Sequence, residues 1–145
     1  MYLHLKGSMW HQNSLYNYGK LHYKGDLLSK DKEKASIYFK KAADLGHINS
    51  MIAYSIILHN GDGVPNDPVE SLKYIKEAAD KGSPESMYFY SIRLSIGDGI
   101  ERNVEKSAFY CKMAADQGLL EAIIEYLRKM NIGIGVERND EEYMH

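Results

Sequence analysis

The sequence is short of several features, and each shortage excludes something. It holds one cysteine, Cys111, so no internal disulfide can form. That rules out a cystine-stapled secreted scaffold and favours a reducing compartment. Neither charge dominates, with 18 lysines and arginines against 20 aspartates and glutamates. There is no basic excess to neutralise phosphates, which makes nucleic acid a poor candidate partner. No apolar run approaches the roughly 20 residues that a bilayer crossing needs, and Met1–Gly7 carries none of leader length. A soluble, cytoplasmic chain without a membrane partner is therefore expected. Phenylalanine is scarce at three, whereas tyrosine reaches 12, a residue suited to positions that are apolar on one side and wet on the other.

What the chain does have is a repeat. With 145 residues, 44% of them apolar, there is material for one domain of ordinary size. Ala42-Ala43-Asp44-Leu45-Gly46 returns as Ala78-Ala79-Asp80-Lys81-Gly82 and as Ala114-Ala115-Asp116-Gln117-Gly118, in steps of 36. Gly61-Asp62-Gly63-Val64 returns in the same step as Gly97-Asp98-Gly99-Ile100 and Gly133-Ile134-Gly135-Val136, with Gly25-Asp26 as a degraded first copy. Two motifs in one register define an N-terminal stub, 1–10, repeats at 11–46, 47–82 and 83–118, and an incomplete fourth at 119–145.

Cap chemistry divides each repeat into two helices joined by a glycine loop. Asp31, Asp67, Asn103 and Asn139 occupy one repeat position, and each can accept bonds from free backbone amides where the second helix starts. Asp67 is followed by Pro68 and, three residues on, by Glu70, a capping box with proline at N1. Gly46, Gly82 and Gly118 supply the left-handed ends, and Ser83-Pro84 starts the next helix. Tyr18, Tyr54, Tyr90 and Tyr126 form a packing row. Gly19, Ser55 and Ser91, facing Ala35, Ser71 and Ser107, let paired helices approach closely. A single hairpin cannot bury its own apolar face, so neighbouring hairpins must stack.

Taken together, the small-residue helix, the Gly-x-Gly-Val loop, the capping Asp and the Lys-Ala-Ala-x-x-Gly ending over 11–136 resemble the Sel-one-like repeat, a relative of the tetratricopeptide repeat. The resemblance implies an all-α, right-handed α/α superhelical solenoid of helical hairpins. It also implies a non-catalytic scaffold or adaptor, without cofactor, that binds a protein or peptide. Leu27-Leu28 departs from the loop pattern, and Leu127 stands where a small residue is expected. Two readings of the last copy stay open. Its first helix is a C-terminal lid, with Glu125, Arg128 and Lys129 as a polar outer face, or the chain is a piece of a longer array whose apolar ends self-associate. Cysteine-rich relatives of this repeat have been linked to β-lactam binding or hydrolysis, but they pair two cysteines per repeat. With Cys111 alone, that enzymatic reading ranks last.

In such stacked hairpins the first helices line the concave face. Helical spacing from the core tyrosine gives four rows: Asn13, Asn49, Glu85 and Glu121; Tyr16, Ile52, Tyr88 and Ile124; Lys20, Ile56, Ile92 and Arg128; and Tyr23, His59, Ser95 and Asn131. These rows vary between copies while the packing rows stay alike, which marks a surface free to specialise. An apolar middle between polar ends suits a helix or an extended segment. The competing reading is that Ile56 and Ile92 only pack between adjacent hairpins.

Other chemistry finds little support. The loop Gly61-Asp62-Gly63 follows a helix and carries a carboxylate, so it is a turn and not a phosphate cradle. His11 and His47 share a repeat position, which places them about 10 Å apart, too far to hold one metal. Cys111 reads as a small, half-buried residue of an apolar-periodic helix, and Glu141-Glu142 as a solvated pair.

Overall fold

A computed structural model describes residues 9–25 and 30–133, with side chains from residue 11. The expectations placed on the stub before Met9 and on Asp26, Leu27-Leu28, Gly135, Asn139 and Glu141-Glu142 lie outside the described residues. Seven helices follow in order: α1 Met9–Lys24, α2 Lys32–Asp44, α3 Ile48–Asn60, α4 Pro68–Asp80, α5 Pro84–Ile96, α6 Val104–Asp116 and α7 Leu120–Ile132. No strand occurs among the described residues. The chain forms two compact units, Met1–Glu77 and Ala78–His145.

The helix starts follow the capping pattern. Asp31, Asp67 and Asn103 accept the backbone N–H of Lys34, Glu70 and Lys106 at 2.9, 3.0 and 2.9 Å. A cap of this kind contributes about 1 kcal/mol. α3 and α5 are capped by His47 and Ser83, and α7 starts at Leu119 with no side-chain cap. α1 begins at Met9, two residues before the expected 11. Each hairpin loop is fixed by the same long backbone bond: Asp31, Asp67 and Asn103 donate their N–H to the carbonyls of His22, Leu58 and Leu94, all at 2.9 Å. Both partners move in steps of 36, so the loop geometry repeats with the sequence.

The glycine of the loop has a second duty at Gly63. It holds a φ of 87°, and a Cβ there would lie 2.7 Å from the carbonyl carbon of Lys32, at the start of α2. Only glycine lets the loop of one repeat rest on the second helix of the repeat before it. Asp62 completes that junction. It forms an ion pair with Lys32 at 2.8 Å and accepts the Tyr23 hydroxyl proton at 2.7 Å. Those two partners hold its carboxyl below the ordinary range.

Close helix pairing follows from the small residues. Ser71 and Ser107 are fully buried and donate across the hairpin to the carbonyls of Ser55 and Ser91, at 2.7 and 2.6 Å. In the first hairpin Ala35 stands at the donor position, and the Phe39 ring lies against Gly19 where a Cβ would stand. The tyrosine row meets a second tyrosine in each of the three described hairpins. Tyr18–Tyr38, Tyr54–Tyr74 and Tyr90–Tyr110 have centroids 5.6, 5.0 and 4.8 Å apart, the last two edge to face. Each such pair adds about 0.5–1.5 kcal/mol beyond area burial.

Three expectations need correction. Tyr54 and Tyr90 are buried at 7% and 2%, but Tyr18 is 52% exposed. Asp44 of α2 accepts the Tyr74 hydroxyl and helps to close off the second pair, whereas no described helix covers the corresponding side of the first. Cys111 is fully buried, not half-buried, among Ala114, Ala122 and Met87. α7 does not present Glu125, Arg128 and Lys129 as a polar outer face: Lys129 is 4% exposed, while Leu120, Ile124 and Leu127 are exposed. Leu127 occupies the repeat position of Ser55 and Ser91, and no described second helix packs on it.

Candidate functional site

The first helices carry the variable rows, so the site is built on α1 and α3 in one unit and on α5 and α7 in the other. In the first unit, Tyr16 leans half-buried against the His47 ring at 4.9 Å and the Phe39 ring at 5.7 Å, and the Lys20 ammonium lies 4.8 Å above it. Beyond this aromatic floor opens an apolar cleft of about 190 Å³, lined by Lys20, Tyr23, Lys24, Phe39, Ala53, Ile56 and Ile57. Its walls are hydrocarbon and ring surface, and its only charged lining groups are the ammoniums of Lys20 and Lys24. Ile56 is 45% exposed here, so it does not serve only to pack one hairpin on another.

The second unit holds a cleft of about 230 Å³ with a different lining: Tyr88, Ser91, Ile92, Ser95, Ser107, Glu125, Arg128 and Lys129. Ile92 is 37% exposed. Glu125 and Arg128 pair at 2.8 Å, and the Arg128 bond is the main influence holding the Glu125 carboxyl below its ordinary range. Burial pushes the Tyr88 hydroxyl pKa up, with Glu125 adding to the effect.

Two of the four rows reach both clefts, one of them through Tyr23 in the first and Ser95 in the second. In the other, Lys20 and Ile56 line the first, and Ile92 and Arg128 line the second. The row of Tyr16, Ile52 and Tyr88 splits: Tyr88 enters the second cleft, while Tyr16 and Ile52 are half-buried outside the first. Asn13, Asn49 and Glu85 are exposed near the starts of their helices and line neither cleft. His59 is half-buried near the end of α3, where the Asn66 side chain donates to its carbonyl.

Sequence reasoning missed several lining residues. Phe39 and Ser107 come from second helices, which the row rule did not consider. Lys129, expected on a polar outer face, shares its repeat position with Leu21, Ile57 and Arg93, of which Ile57 and Arg93 are buried. The change from aliphatic to cationic between Ile57 and Arg93 was a visible signal.

No group of three or more His, Cys, Asp or Glu among the described residues is placed to hold a metal. His47 spends its Nδ1 as a helix cap, accepting the Ser50 N–H at 3.3 Å and lying 2.7 Å from Ser50 Oγ. Burial pushes the Cys111 thiol up to about 11, which keeps it protonated and a poor nucleophile near neutral pH. No helix among the described residues is long and apolar enough to cross a membrane.

Comparison with known proteins bears on this arrangement. The family described as the Sel1 repeat matches at residues 12–47, 48–83 and 84–119. Among solved structures, a protective antigen of uropathogenic Escherichia coli displaying an SLR fold superposes with a TM-score of 0.86 at 28% identity, over 91% of this chain and 28% of the antigen. A Sel1 repeat protein from Oxalobacter formigenes superposes with a TM-score of 0.87 at 20% identity, over 92% of this chain and 55% of its own. The cysteine-rich protein B of Helicobacter pylori gives a TM-score of 0.63 at 18% identity, over 82% and 92% of the two chains. This chain thus spans little more than half of the second relative and under a third of the first. No protein of curated function matches it in sequence.

Proposed function

The chain belongs to the Sel1 repeat family, and from that premise we propose that it is a scaffold that holds a peptide or helix of a partner protein against the faces of its first helices. Sel1 repeat proteins generally mediate protein–protein interactions and are generally non-enzymatic. The observation that carries the finer reading is the row Lys20, Ile56, Ile92 and Arg128. It runs from lysine through two isoleucines to arginine and gives all four of its residues to the clefts, while the packing residues around it hardly change. Partially exposed isoleucine and tyrosine anchors beside cationic groups suit an amphipathic segment with acidic residues. The test is photo-crosslinking with benzoylphenylalanine at Ile56, Tyr88 and Ile92, compared with Ile37 and Phe109, which are exposed on second helices. Crosslinks to one partner from the first set only are expected; equal yield from both sets would contradict the reading.

A second reading has its own observation. Leu120, Ile124, Leu127 and Ile132 leave one helix, α7, with four exposed apolar side chains. Such a face favours stacking on a further repeat or a second copy. Sedimentation that depends on concentration, and that a Leu127→Glu change abolishes, would support it.

A further inference from the structure

The cleft between α1 and α3 lies within the first compact unit, and its described lining includes no carboxylate, whereas Glu125 lines the other cleft. The Tyr23 hydroxyl is spent on Asp62, which leaves the ring as its contribution to the wall, and Phe39 adds a second ring from α2. Position 53 accounts for the open space. Its repeat counterparts are Asn17, Phe89 and Glu125, so the cleft opens where the row has its smallest side chain, and the next copy carries a half-buried phenyl ring there. An apolar cavity of about 150 Å³ suffices to take up a benzene ring, and this cleft measures about 190 Å³. Two aromatic walls favour a ring over an aliphatic chain, because ring pairs gain from edge-to-face or offset contact beyond area burial.

The charge of the cleft comes from one side. Lys20 and Lys24 are exposed and stand four residues apart on α1, a spacing at which side chains are neighbours and like charges repel. The Lys20 ammonium lies 4.8 Å from the centroid of the Tyr16 ring, which is outside the lining, so the charge sits at the rim. From α3, Ala53 and Ile56 face these lysines without a charge of their own. A carboxylate at that rim relieves the repulsion, while a ring beside it fills the apolar space. We propose that this cleft is the anchor subsite for a phenylalanine side chain of the bound partner segment, with an acidic residue next to that phenylalanine read by Lys20 and Lys24. The proposal rests on the peptide-binding reading for its biological occupant, but the subsite is testable without any partner.

The test is a titration of the whole chain followed by amide NMR, with the capped dipeptides N-acetyl-Asp-Phe-amide and N-acetyl-Phe-Asp-amide as probes. Saturable shifts at Ala53, Ile56 and Ile57 are expected with at least one of them, and the tighter order tells on which side of the ring the carboxylate lies. In the tighter probe, leucine in place of phenylalanine should weaken binding roughly threefold or more, and alanine at least about tenfold. Asparagine in place of aspartate should weaken it about threefold at low salt, as suits exposed charges that salt screens. Lys20→Gln/Lys24→Gln should erase that difference and leave the affinity of the neutral probe unchanged, which separates charge from packing. Ala53→Phe copies Phe89, a ring the repeat already accommodates, and should fill the cleft and weaken binding at least about tenfold. Absent shifts, a leucine probe bound as tightly as its phenylalanine parent, or undiminished binding by the folded Ala53→Phe chain would overturn the subsite. So would an aspartate preference that is missing in the parent or survives the loss of both lysines. None of these results depends on whether crosslinking finds a partner, so failure of the subsite and failure of the scaffold reading are distinguishable.

Discussion

In the first hairpin Gly19 packs against the ring of Phe39, a contact that makes a quantitative prediction. A Cβ at position 19 would stand 2.7–2.8 Å from two carbons of the Phe39 ring, where ordinary contact begins near 3.4 Å, so the ring must retreat by roughly 0.7 Å. Phe39 is 3% exposed and already meets the Tyr16 ring, which leaves little room to retreat. Overpacking of this size costs about 1–3 kcal/mol, and replacing a helical glycine by serine returns about 0.5 kcal/mol. Gly19→Ser should therefore destabilise by about 1–2 kcal/mol. The later repeats show the compensation: the same two positions hold Ser55 with Ile75 and Ser91 with Cys111, a larger first residue with a smaller second. Phe39→Ile alone, leaving a void beside Gly19, should cost about 1–2 kcal/mol. The double variant should lose only about 1 kcal/mol, a coupling of at least about 1 kcal/mol in its favour. Urea titration followed by circular dichroism at 222 nm measures all four proteins, with coincident tyrosine fluorescence as the check on two-state behaviour. Additive single effects, or a Gly19→Ser protein as stable as the parent, would refute the packing argument.

Two further predictions concern the caps. Ser86 Oγ is a buried hydroxyl with no partner, and the last repeat places Ala122 at its position; Ser86→Ala should stabilise by about 1 kcal/mol, whereas Ser50→Ala, which loses the contact with His47, should not, as calorimetric Tm values will show. Burial pulls the His47 pKa below its ordinary 6.5, so the unfolded chain binds the proton more readily. Stability from this group is complete above about pH 6.5 and is lost as pH falls through the lower folded value. His47→Ser, which copies the Ser83 cap, should flatten the decline in urea midpoint between pH 7 and 5; an unchanged slope would remove His47 as its source.

Most of the fold was legible because one set of constraints is written several times. Asp31, Asp67 and Asn103 could be read as caps without coordinates, and so could the left-handed Gly46, Gly82 and Gly118, since each acts within a few residues of itself. The site was legible only in part. Spacing along a helix placed Lys20, Ile56, Ile92 and Arg128 on an accessible face, but it could not show that Phe39 and Ser107 would join them from second helices. Tyr18 misled for a related reason. Repeat position predicts burial only where a neighbouring hairpin supplies the cover, and burial is a property of the stack, not of the single copy. Lys129 was misplaced because a charged side chain reads as surface even when its row is core.

The account rests most heavily on the first-helix faces as the place where a partner is held. The direct measurement is quantitative affinity capture by the parent chain, by an Ile56→Glu/Ile92→Glu variant, and by a Phe109→Glu control whose change lies on the exposed side of α6, each first shown to be folded by its helical dichroism. The account predicts a partner recovered by the parent and the control and depleted at least tenfold by the double variant. Recovery of the same partners in equal amounts by all three would contradict it.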